Sequence, residues 1–167
     1  TQKVIEKYWD HPDWSEVWPL FMLGEARRSD RLESTLAAVL ATRHPLDEHL
    51  CRPERTCLAW AGVGSQPIPD DSASWKGVLK WAQSSLAGTD DVRRNLCLQS
   101  LATWEKPLPG SLAQRVIQLM EHEDWRLRCS VVSALAGQAD QARLRKALIK
   151  RAQDPNAAVR HAVVRAL

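Results

Sequence analysis

The chain has 167 residues, with 23 Lys and Arg against 20 Asp and Glu, and a net charge of +3. That length suits one domain with a substantial core, and the composition is ordinary apart from 8 Trp beside a single Tyr and a single Phe. No run of 18 or more apolar residues occurs, which excludes a membrane-spanning helix, and Thr1–Asp10 lacks the charged leader and apolar block of a secretory signal.

Taken in order, Thr1–Asp10 reads as a short helical lead with Val4, Ile5, Tyr8 and Trp9 as its apolar positions, broken by His11-Pro12-Asp13. Trp14, Val17, Trp18, Phe21 and Met22 then recur at helical spacing, with Pro19 kinking or dividing the run. The next helix spans about Ser29 to Thr42, capped by Ser29 or Asp30, with Leu32, Leu36, Val39 and Leu40 inward. Another short helix is expected at Pro53–Gly62. Residues 62–74, rich in Gly, Pro, Asp and Ser, form the clearest loop. Ser74–Leu86 is helical, with Val78, Leu79, Ala82 and Leu86 inward. Asp90–Glu105 follows and is stopped by Pro107-Leu108-Pro109-Gly110, and Leu112–His122 pairs with it through Leu112, Val116, Leu119 and Met120.

The last stretch, Asp124–Leu167, carries a motif twice: an acidic turn, an apolar residue, an Arg, and a seven-residue run ending in Leu. Arg128 leads to Leu135 and Arg160 to Leu167; upstream, Arg94 leads to Leu101 in a weaker copy. The steps between these arginines are 34 and 32 residues, a period that belongs to stacked helix pairs. The copies agree in physical type at the second and third positions after the Arg (Leu96-Cys97, Ser130-Val131, Ala162-Val163) and at the sixth (Ser100, Ala134, Ala166). These offsets share one helix face, and the small residues on it admit a close neighbour. Gly137 is expected to cap the first helix of its pair in a left-handed conformation. Leu144, Ala147, Leu148 and Arg151 share one side of the second, and Asp154 and Pro155 open the next as N-cap and first turn.

Asp154, Pro155, Val159, Arg160, Ala162, Ala166 and Leu167, with Leu127, Arg128, Ala134, Leu135 and Gly137, resemble the HEAT repeat in its short bacterial form. The resemblance implies an all-α, right-handed solenoid of about four helix pairs. It also implies a ladder of hydrogen bonds between turn Asp and helix Arg that links neighbouring repeats, with Arg94, Asp124, Arg128, Asp154 and Arg160 as its residues here. The pattern departs from the family at His122 and Gly88, which stand six before Arg128 and Arg94 where Asp154 stands six before Arg160. On this reading residues 1–167 form one helical-repeat domain, with atypical helices over 1–61, degenerate repeats over 75–122 and the best-matching repeats over 123–167. The string at Tyr8–Trp18 looks like the sequence that follows the ATPase core of NACHT-type STAND signalling proteins, where helical repeats begin. That likeness implies a piece of a larger signalling protein, with further repeats expected after Leu167. No GxxxxGK[ST] phosphate loop is present, so ATP binding is not expected here.

Charge is uneven. Asp124–Leu167 holds nine Lys and Arg against three acids, while Thr1–Glu123 has a net charge of −3. Arg143, Lys146 and Lys150 share a face opposite Leu144, Ala147 and Leu148. They form either a solvated helix face or a strip that binds an acidic partner surface or nucleic-acid phosphates. Trp75, Trp81, Trp104 and Trp125 lie near helix ends or loops; most are expected to be inter-helix packing, and Trp75 and Trp125 are candidate partner anchors if more than half exposed. The histidines (His11, His44, His49, His122, His161) are scattered without metal spacing. Cys51 and Cys57 lack a CxxC partner pair, and Cys97 and Cys129 fall on inward faces. No nucleophile turn is found, and Asp70 and Asp71 read as turn caps. The expectation is therefore a non-catalytic scaffold or sensor in a reducing, cytoplasmic setting. It uses no metal and no cofactor. Its partner is another protein or the rest of its own chain, with nucleic acid as the alternative and no membrane.

Overall fold

The computed structural model describes residues 29–42, 53–62, 72–104, 106–138 and 140–167, together with Lys3 and Lys7. The leading helix, the Trp14–Met22 stripe, the Tyr8–Trp18 string, His11, His44, His49, Cys51, Asp70, Asp71 and most of the 62–74 loop lie outside these residues. Among the described residues the fold is all helical, with eight α-helices, one 3-10 turn and no strand. They are α1 (Ser29–Ala41), α2 (Pro53–Gly62), α3 (Ala73–Ala87), α4 (Asp91–Ala102), α5 (Gly110–Leu119), α6 (Trp125–Ala134), α7 (Ala142–Arg151) and α8 (Ala157–Ala166). The chain divides into two compact units, Thr1–Ala82 and Gln83–Leu167, with α3 running through the division.

In the first unit α1 packs on α2. Leu32, Leu36 and Val39 of α1 are buried, as are Cys57, Leu58 and Ala61 of α2 and Trp75, Val78, Trp81 and Ala82 of α3. Glu33 of α1 anchors the start of α3. Its carboxylate accepts hydrogen bonds from the Ser72 hydroxyl, from Ser74 N at 3.0 Å and from Ser74 Oγ at 2.5 Å. Ser72 Oγ in turn accepts from Trp75 N at 3.0 Å, which occupies an otherwise orphaned N-terminal amide of α3.

The second unit is a repeat stack of two rows. Helices α4, α6 and α8 are successive neighbours in one row, α5 and α7 are neighbours in the other, and α8 also packs on α7. Spacing in the sequence accounts for each seam. Leu127, Val131, Ala134 and Leu135 recur on one side of α6, as Val159, Val163 and Ala166 do on α8, and all are buried. Leu144 and Leu148 fill the core from α7, and Leu112, Val116, Leu119 and Met120 from the α5 segment. Each such leucine taken from water contributes about 1.5–3 kcal/mol. Cys97 is fully buried and its thiol is pushed up to about 12 by that burial, while Cys129 is half-buried with its thiol raised for the same reason.

Two local expectations are corrected. Gly137 is not a left-handed cap: it lies inside the 3-10 turn Ala136–Gln138, and α6 ends at Leu135 with φ −101°. Its glycine character has another use, because a Cβ there would meet the Trp104 carbonyl oxygen at 3.1 Å. That close approach lets Gln138 Nε2 donate to the same carbonyl at 2.7 Å, tying the end of α6 to the end of α4. Asp154 is not the N-cap of α8 either; Asn156 is, its side chain accepting from Ala158 N at 2.8 Å.

Candidate interaction site

The caps fall in register. Asp90, Asp124 and Asn156 are the N-caps of α4, α6 and α8, each four residues before its arginine. Asp124 is thus a capping residue that accepts from Arg126 N at 2.9 Å, and its carboxylate takes no rung of the ladder. An acid at a cap is spent on its own helix amides, so it is not free to cross to the next pair.

The three arginines then do the same thing. Arg94 donates to the carbonyl of Gly88, Arg128 to that of His122 at 2.7 Å, and Arg160 to that of Asp154 at 2.8 Å, always six residues back. Arg128 and Arg160 also reach the next carbonyl, Glu123 at 2.8 Å and Pro155 at 3.0 Å. The guanidinium therefore satisfies turn carbonyls that precede its own helix.

The Asp154 carboxylate crosses to the preceding repeat. Arg128 Nε and Nη2 meet Asp154 Oδ2 and Oδ1 at 2.8 and 2.9 Å, a bidentate pair in which both side chains are buried. Asp154 Oδ1 also accepts from Asn156 N at 2.9 Å, and Arg151 Nη1 stands 3.4 Å from Oδ2. Arg128's hydrogen bonds, above all, hold the Asp154 carboxyl below the usual carboxylate range, and Asp154 raises Arg128 in return. Arg151 carries the chain of charges onward, with Nη2 at 3.0 and 2.9 Å from the two oxygens of Glu121. Lys150 Nζ donates to the same carboxylate at 2.9 Å. These contacts, with Lys150 first, hold Glu121 low as well.

The first repeat lacks this rung. His122 stands where Asp154 stands one repeat later. Its Nδ1 accepts from Asp124 N at 3.1 Å, just as Asp154 accepts from Asn156 N, but an imidazole offers no second oxygen to an arginine. Arg94 turns instead to Asp91 on its own helix at 2.8 Å, and its buried Nε has no hydrogen-bond partner among the described residues.

The lowered carboxyls set a pH dependence. Asp154, Glu121 and Glu33 all have folded values below their unfolded ones. The stability they contribute is complete above the unfolded value, about pH 4, and is lost as pH falls through the folded values. Urea midpoints should be level in this respect from pH 7 to 5 and fall below about pH 4. Asp154→Asn should make that acid limb shallower, which titration of the midpoint against pH will show.

The candidate partner residues sort differently. Trp75 is 5% exposed, and Trp81 and Trp104 are buried too. Trp75 therefore offers no surface. Trp125 is 36% exposed at the start of α6, with the Arg126 guanidinium 5.0 Å from its ring centre. Arg143, Lys146 and Lys150 are all exposed on α7, and Arg143 and Lys146 have no ion-pair partner among the described residues. Lys150 is the one already neutralised, by Glu121. The sequence reading missed Glu121 as that partner, and it missed Ile149, 53% exposed beside the strip. No three metal-ligating side chains come together among the described residues, and no helix there is long and apolar enough to cross a membrane.

Two rows of helices, held in register by arginines at a fixed period, define a helical-repeat protein. Residues 112–167, a third of the chain, match the family model for HEAT repeats. No curated protein and no solved structure matches the chain.

Proposed function

We propose that the chain is a non-catalytic protein-interaction module, a scaffold or sensor surface within a larger signalling protein. HEAT repeats commonly serve as protein-interaction scaffolds. The observation that carries the reading here is the α7 face: Leu144 and Leu148 are fully buried, while Arg143 and Lys146 on the other side are exposed and without an ion-pair partner among the described residues. Folding uses the first pair and makes no use of the second. Trp125, on the other row of helices, is 36% exposed, short of the half exposure that would mark it as an anchor. The Tyr8–Trp18 resemblance supports the larger signalling context. A peptide-display selection against the immobilised 167-residue chain tests the module. Enrichment of peptides that bind the folded chain and not the urea-unfolded one is expected; failure to enrich any would count against it.

A further inference from the structure

We propose that the side of α7 bordering α5 docks an acidic segment of a partner polypeptide, on the carboxylates of its Asp or Glu side chains. The proposal rests on the interaction-module reading and names its partner. Neither α5 nor α7 contains an Asp or Glu, yet together they carry Arg115, Arg143, Arg145, Lys146, Lys150 and Arg151. Lys150 and Arg151 close on Glu121, just past the end of α5, so they mark the side of α7 that faces α5. Arg143 and Lys146 share Lys150's face two turns and one turn earlier, at about 100° per residue, whereas Arg145 falls on the other flank.

Glu121 shows what the strip accepts. One carboxylate sits between two cations with both oxygens engaged, at 2.9–3.0 Å. Arg143 and Lys146 are two further cations on the same side without such a carboxylate among the described residues. A partner acid placed there repeats the clasp about 10 Å away along α7. Exposed Ile149, three residues after Lys146, gives an apolar side chain of the partner a place to pack.

The same features favour polypeptide over nucleic acid. A phosphate-reading face gains affinity from each phosphate it neutralises, but this strip offers two cations without a carboxylate among the described residues and carries a fixed carboxylate at one end. An exposed isoleucine has no partner on a phosphodiester backbone.

The test uses the whole chain and three fluorescent probes. The first is a peptide of glutamate pairs alternating with single leucines; the second has glutamine in place of glutamate; the third is a 20-base-pair duplex. Binding of the glutamate peptide is expected, weakened at least tenfold in the Arg143→Glu/Lys146→Glu variant and at least tenfold with glutamine in the peptide. Both positions are exposed, so the variant should keep the parent's urea midpoint. The proposal is overturned if the glutamate peptide does not bind, if the variant binds it equally well, if the glutamine peptide matches it, or if the duplex binds more tightly. Display-selected peptides that ignore the double substitution would leave the module standing and remove this site from it.

Discussion

Asp154→Ala should destabilise the chain by about 3–5 kcal/mol, read as a lower urea midpoint at pH 7. The reason lies in what remains rather than in what the pair contributes. Asp154 is 3% exposed and engages two guanidinium nitrogens of Arg128 and the Asn156 amide. Without it a buried positive charge keeps only the His122 and Glu123 carbonyls. Desolvation of that charge is then uncompensated, and the seam between α6 and α8 bears the loss. The exposed Lys150–Glu121 contact supplies the contrast. Lys150→Gln, where both partners are more than half exposed, should cost less than about 1 kcal/mol. A similar cost for both substitutions would mean that the ladder is ordinary surface electrostatics.

The opposite experiment completes the first repeat. His122→Asp should stabilise the chain by about 1–2 kcal/mol. A carboxylate at this position can keep the Asp124 amide, as Asp154 keeps that of Asn156. Its second oxygen would face the buried Arg94 Nε, which lacks a partner among the described residues. In an Arg94→Met background the gain should vanish. A gain that persists there would place its origin outside the ladder.

The sequence spoke most clearly where a pattern repeats. Arg94, Arg128 and Arg160 occupy equivalent places, and helix α2 runs over the span expected for it, because side-chain period and turn residues act locally. The partner of Asp154 was not legible. Spacing linked it to Arg160, six residues on, but Arg160 takes only its carbonyl, and its carboxylate crosses 26 residues back to Arg128. Intervals along the chain do not report which turn lies over which helix of the preceding pair. A usable signal was present all the same: a capping residue stands four before every arginine, which assigns Asp90, Asp124 and Asn156 to the caps and frees Asp154. Trp75 went astray for a related reason, since a residue in the first turn of a helix can face either way until its neighbours are placed. On α7 the division into buried leucines and exposed cations followed directly from helical period, but the neutralisation of Lys150 by Glu121 depended on α5 lying alongside.

The account depends most on arginine and aspartate joining successive repeats. A double-mutant cycle of Arg128→Met and Asp154→Ala, followed by urea unfolding, measures that link. The structure predicts a coupling of at least about 1.5 kcal/mol, whereas effects that add within about 0.5 kcal/mol would contradict it.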